Sequence, residues 1–456
     1  MTTALLAGLL AQAVSLVLLR HRLGRRWLLR PVVLFMLAST VDLGVAPALL
    51  AIPSVSAQDT AGAGISRAFT GQADLIMSVV MLAFTVAYLV TRPERAKIPP
   101  GPADLAVLAR VLDWRLLAVA CVPMAAVTAA GQGYNADVTA AGGTPLETNL
   151  VTTFFIVTVA VAAIALVLRH GTRWFFPALA GQSLLLAVAG ERTPILMDGL
   201  ALVIVPVFAG IRVPRRQVVA AGVLAGVVIL AISGVRSEQG RGIFYANSGV
   251  GSRVAALGDG LLGGTPAAGI PAQPGLVTQF ATREAGVDFA GGILQSMHMG
   301  QPRLGAGYVP ESLLEAVPSF LWGSKLGLGT GINPAQLQIN AFGLQQINFI
   351  PGMVGTYIGM LSFPWLLLFF FGLGLVFGRF ERWLLRECTP VRVVLLAGAI
   401  SSALLYEAGL PTMLVQMRAA AALAVAAKCA ELLLYGTRRR RASRYRPLAA
   451  GGTGGG

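Results

Sequence analysis

Gln217–Gly242 reads QVVAAGVLAGVVILAISGVRSEQGRG, and it changes character at Val235. The first nineteen residues are apolar, about the length needed to cross a hydrocarbon core at 1.5 Å per residue. After Val235 the chain runs for about 115 residues, to Phe349, with Gly, Pro, Gln, Asn and balanced charges. In that stretch Arg236, Arg241, Arg253, Arg283, Arg303 and Lys325 face Glu238, Asp259, Glu284, Asp288, Glu311 and Glu315. A connection this long within a compact domain is functional or disordered. It is not low-complexity, and it holds apolar patches such as Glu311–Trp322 (ESLLEAVPSFLW). We read it as a working face scaffolded by membrane helices.

The rest of the chain agrees with a membrane class. Of 456 residues, 55% are hydrophobic and 12% charged, at a mean hydropathy of +0.73. Soluble domains carry about 25% charged residues. A net charge of +15 raises nucleic acid as a partner, but the basic residues cluster at the ends of apolar runs, so no nucleic-acid partner is expected. The three cysteines (Cys121, Cys388, Cys429) offer neither a disulfide framework nor zinc-ligand spacing.

Apolar runs predict about eleven transmembrane helices, near 3–19, 31–53, 72–91, 116–131, 150–168, 174–190, 195–211, 217–235, 351–378, 393–410 and 412–435. One set of alternating connectors holds 25 Lys and Arg, the other 8 spread over far more residues. Positive charge stays on the cytoplasmic side. The N-terminus is therefore expected outside and the C-terminus inside, with the large loop outside between helices 8 and 9. Five arginines follow the first span and no basic residue precedes it, so a cleaved signal peptide is not expected. The expected organisation is helices 1–8 over 1–235, an extracytoplasmic loop over 236–350, helices 9–11 over 351–435, and a basic, Gly-rich tail over 436–456.

Three arginines converge on one outer mouth in this reading. Glu191-Arg192-Thr193-Pro194 joins helices 6 and 7, with Pro194 suited to a first helical turn. Free N–H groups and the positive dipole end there favour an anion. Arg192 adds a guanidinium with bidentate geometry for phosphate. Helices 7 and 8 form a hairpin, which brings Arg236 and Arg241 back beside Arg192. The bland alternative is snorkelling to lipid headgroups.

His298, within QSMHMG, is the sole histidine on the expected outer side and a candidate base for a sugar hydroxyl. Glu311 and Glu315 share a helix face and are further candidates. Charges inside the spans are Asp42, Asp74, Asp198, Glu407, Glu431, Arg418 and Lys428, and intramembrane charge is usually functional. Lys428 and Glu431 are spaced to pair. Asp198 lies about a turn and a half below Arg192, placed to orient it. Asp42 and Asp74 carry the alternative of a proton-coupled transporter or flippase.

Three segments carry a family resemblance. Gly190–Leu196 (GERTPIL), Val317–Lys325 (VPSFLWGSK) and Ile347–Met360 (INFIPGMVGTYIGM) together resemble the Wzy-type O-antigen and oligosaccharide repeat-unit polymerases, over roughly residues 185–380. Ser319 stands where that pattern favours Arg, and Lys325 lacks a following Pro. The resemblance implies a metal-independent integral-membrane glycosyltransferase of the bacterial plasma membrane, without cofactor. It would move a glycan from a polyprenyl diphosphate to a sugar hydroxyl on another lipid-linked unit. Arg192, Arg236 and Arg241 would hold the diphosphate, supported by Asp198 and Lys325. His298, Glu311 or Glu315 would assist the acceptor. Its partners would be the lipid-linked oligosaccharide, the bilayer, and flippase and chain-length regulator proteins. A ligase-like transferase is the near alternative.

Overall fold

The computed structural model describes residues 3–52, 64–91, 102–130, 145–188, 192–223, 226–227, 286–314, 317, 334–344, 352–403, 405–406 and 409–444. Among them the secondary structure is helical throughout, without strands. Among the described residues six helical stretches are long and apolar enough to cross a membrane: Thr3–Leu23, Pro31–Leu50, Arg67–Val90, Val107–Thr128, Val151–His170 and Phe363–Leu384. Pro194–Phe208 and Pro390–Ala403 are shorter apolar helices. Every backbone polar group in a bilayer must be satisfied within the chain, which is why apolar sequence of this length forms helices.

In chain order the first half comprises α1 (Thr3–Leu23), α2 (Pro31–Thr40), a π-helical turn (Val41–Val45), α3 (Ala46–Leu50), α4 (Arg67–Val90), α5 (Pro102–Val111), α6 (Trp114–Ala130), α7 (Pro145–His170), α8 (Phe175–Val188) and α9 (Arg192–Phe208). Residues 215–223 are also helical. The second half comprises α10 (Gly286–His298), α11 (Tyr308–Leu314), α12 (Pro334–Phe342), α13 (Gly352–Ile358), α14 (Phe363–Leu384), α15 (Pro390–Ala403) and α16 (Gly409–Arg444).

Helix α4 is the axis of one group. It packs along α14 and α1, and receives α10 near its N-terminal end. The α1 face turned inward is Leu5, Gly8, Gln12, Ser15, Leu19 and Leu23, a three-four spacing that sets one stripe of a helix against a neighbour. Against α14, the close approach is made by Gly374 and Gly378. A Cβ at Gly374 would lie 2.3 Å from the Phe84 carbonyl oxygen, and one at Gly378 would lie 2.3 Å from Thr91 Oγ1. Small residues allow this contact where lipid offers no hydrophobic drive between helices. A second group packs α9 against α7, α8 and α15, and α15 against α16. Phe35 joins the groups, its ring 5.2 Å from Phe84, 5.8 Å from Phe377 and 5.3 Å from Tyr406.

Two features depart from the sequence reading. The run expected as a single span over 351–378 is broken, with α13 ending at Ile358 and α14 starting at Phe363. The break is stabilised by side chains that occupy its freed backbone groups. The Gln338 amide donates to the Thr356 carbonyl at 2.8 Å and accepts from the Gly359 N–H at 2.9 Å. The Arg303 guanidinium donates to the carbonyls of Ile358 and Leu361. A Cβ at Gly359 would sit 2.5 Å from Gln338 Oε1, so a side chain there would displace the Gln338 amide.

The second departure lies in the long central stretch. Its segment Gly286–His298 returns as α10 and buries every residue from Gly286 to Ile293. Val287, Phe289 and Ile293 are fully enclosed, each worth roughly 1.5–3 kcal/mol when removed from water. Gly291 lets the α10 backbone approach α4, since a Cβ there would stand 3.0 Å from the Thr70 backbone. Gln295 then clamps the start of α4, accepting from the Ser66 N–H at 2.7 Å and donating to the Gly64 carbonyl at 3.1 Å.

Candidate functional site

Helix α9 begins at Arg192 with Pro194 in its first turn, as the sequence suggested. A proline there forfeits no intrahelical hydrogen bond. Six residues further on, Asp198 is fully buried and its Oδ1 accepts from the Ser401 hydroxyl on α15 at 2.8 Å. The partner shown for Asp198 is thus a serine on a neighbouring helix. Gln182 and Ser183 of α8 and Ser402 of α15 are also buried polar residues of this group.

His298 is the last residue of α10 and is exposed, its ring 5.3 Å from that of Phe69 on α4. Glu311 sits in the first turn of α11 and is exposed. Ser312 beside it points inward, hydrogen-bonding the Val309 carbonyl at 2.7 Å. Glu311 therefore belongs to the solvent face of this short helix. Arg236, Arg241, Glu315 and Lys325 lie outside the described residues, as does Glu407.

Arg192 and His298 are carried by different helix groups. Helix α9 packs on α7, α8 and α15, whereas α10 packs on α4, α12 and α13. Lys428 and Glu431 pair as their spacing foretold, at 2.9 Å on α16.

Two buried carboxylates take on definite surroundings. Asp42 lies in the π-helical turn, and its Oδ1 accepts from the Gly286 N–H at 2.9 Å, capping the start of α10. A carboxylate is favoured there by the free N–H groups and dipole of the helix N-terminus. The same side chain abuts α13. Gly352 has φ of +63°, and a Cβ on it would meet Asp42 Oδ2 at 2.6 Å. Asp42 therefore anchors the returning segments.

Glu381 on α14 falls beyond the span expected over 351–378, yet only 3% of its surface is exposed. Its Oε1 accepts from Arg30 at 3.1 Å and from the Tyr88 hydroxyl at 2.7 Å, while Oε2 accepts from the Val32 N–H at 3.1 Å. Sequence offered no signal for this cluster, because Arg30 and Glu381 are 351 residues apart.

Comparison with known proteins finds no match to a family model, a curated protein or a solved structure.

Proposed function

We propose that the chain is a membrane-embedded glycosyltransferase that polymerises lipid-linked oligosaccharide. In this reading it transfers a glycan from a polyprenyl-diphosphate donor to a sugar hydroxyl, on the outer side of a bacterial plasma membrane. The proposal keeps the eleven-span topology with the N-terminus outside. The observation that carries it is the start of α9 at Arg192, within the GERTPIL segment that resembles the repeat-unit polymerases. A guanidinium at a helix N-terminus combines a permanent charge with aligned N–H donors. That combination suits a diphosphate leaving group, whose charge grows as the glycosidic bond breaks.

Arg236 and Arg241 complete the donor site in this proposal, and Lys325 assists. On the acceptor side His298 removes the hydroxyl proton, with Glu311 or Glu315 as the alternative base. His298 is suited to this by its exposure at the end of α10. Because α9 and α10 belong to different helix groups, the substrate itself would span the gap between donor and acceptor ends.

The test is binding of a polyprenyl-diphosphate analogue to the purified protein in detergent, for wild type and Arg192→Ala. The expected result is binding by wild type that falls at least tenfold in Arg192→Ala, the loss of one charge-assisted contact of about 1.4 kcal/mol or more. Folded wild-type protein that does not bind, or binding indifferent to Arg192, would remove the donor site.

A further inference from the structure

Asp74 is the most isolated charge-bearing group in the described structure. It lies in the second turn of α4, with 1% of its surface exposed. Neither carboxylate oxygen has a hydrogen-bond partner among the described residues. Helix α1 closes over it at Gly8, where a Cβ would lie 2.1 Å from Asp74 Oδ2. A glycine is required at that position to let the carboxyl in.

Among the described residues its surroundings are oxygen-rich. One turn along the same helix interface, the Gln12 amide donates to Ser78 Oγ at 3.4 Å, and Gln12 Oε1 accepts from the Thr40 hydroxyl at 3.4 Å. Asp42 and Tyr406 meet at the start of α13, where a Cβ on Gly352 would lie 2.6 Å from Asp42 Oδ2 and 3.4 Å from the Tyr406 ring. Among the described residues the elements packed on this part of α4 bring two acids and, at the end of α10, His298 against Phe69. The π-helical turn contributes Asp42, and α10 contributes Asp288, which accepts from the Thr70 hydroxyl at 3.3 Å. Residues 3–19 of α1, all of α13 and residues 363–378 of α14 carry no charged side chain.

A bare carboxylate between apolar helices, with no donor on either oxygen, is strongly disfavoured. It must be neutralised where it sits. We propose that Asp74, enclosed between α4 and Gly8 of α1, forms a site within the helix bundle for one monovalent positive charge, H+ or Na+. The two ions supply the same chemistry, a single positive charge on the carboxyl oxygens. Hard oxygen donors suit Na+, and the tight closure by Gly8 suits a proton. The site lies between α1, the π-helical turn and α4, next to the residue that caps α10. Its occupancy is therefore linked to how α1 and the returning segment seat on α4. The site uses neither Arg192 nor His298, so it stands apart from the glycosyl-transfer reading.

The experiment is thermal unfolding of the full-length protein in detergent. NaCl is compared with choline chloride at equal ionic strength, each at mildly acidic and mildly alkaline pH. Occupancy of a site present only in the folded state raises the unfolding midpoint by mass action. For Na+, the midpoint rises by several degrees with NaCl at alkaline pH. For H+, it rises on acidification in choline and is indifferent to NaCl. In either case Asp74→Asn, permanently neutral, loses a large part of the response and Glu387→Gln, at an exposed carboxylate, keeps it. A wild-type midpoint indifferent to both ions overturns the proposal, as does a full-sized response in Asp74→Asn. Should Asp74→Asn not fold, Gly8→Ala replaces it. Its methyl intrudes on Asp74 Oδ2, and an unchanged ion response in that variant overturns the placement of the site.

Discussion

The two ends of α4 meet buried carboxyl groups in opposite ways. Near its C-terminal end Tyr88 reaches Glu381, which also holds Arg30 and the Val32 N–H. Fourteen residues earlier, roughly 21 Å along the helix, Asp74 has no donor on either oxygen among the described residues. Both sites are almost wholly enclosed, so burial does not distinguish them. Completeness of hydrogen bonding does. A carboxylate with every oxygen occupied from three directions is a fixed joint, tying the α1–α2 connector and α4 to α14. A carboxyl without a donor among the described residues is where the proposed cation would bind.

The largest expected effect comes from breaking the fixed joint. Arg30→Ala leaves Glu381 charged in the bundle without its cation. Removing one partner of a buried pair costs about 3–5 kcal/mol. We expect a matching loss in equilibrium unfolding measured in mixed detergent micelles. If Arg30→Ala is within experimental error of wild type, Glu381 is not held as a charged group and the contrast along α4 disappears. Tyr88→Phe probes the same joint more gently. It deletes one hydrogen bond to a charged acceptor, at 2.7 Å, and keeps the ring. The expected cost is about 1.5–3 kcal/mol, with the double variant showing less than the sum because both residues bond the same oxygen.

Much of the fold was legible because one property dominates it. Apolar runs of membrane-spanning length mark helices such as Thr3–Leu23 and Arg67–Val90 directly. The start of α9 at Arg192 was legible through Pro194, and the Lys428–Glu431 pair through its spacing. What escaped the sequence depends on tertiary partners. The break between α13 and α14 lies in residues as apolar as those around it. Its cause is Gln338, about twenty residues away, and Arg303, which reads in sequence as one more loop charge. Gly286–Ile293 (GVDFAGGI) resembles polar loop sequence, because its glycines are there for close approach to α4 and Asp288 for a bond to Thr70. Asp42 could be identified as an unusual intramembrane charge, but not as the cap of a helix 244 residues later.

The smallest expected effect on stability is the one that sharpens the comparison most. Asp74→Asn replaces a carboxyl with an amide of the same shape. At Glu381 an equivalent change removes the charge that three donors were arranged around. At Asp74 no donor is lost, so in choline chloride at neutral pH the variant is expected to be as stable as wild type, within about 0.5 kcal/mol, or more stable. Unlike wild type it has no unneutralised charge to satisfy. A loss comparable to that of Arg30→Ala would mean that Asp74 is a second fixed joint, with donors supplied by groups such as bound water. Equal or greater stability would instead leave the two ends of one helix with separate tasks, one holding the bundle together and the other accepting a cation.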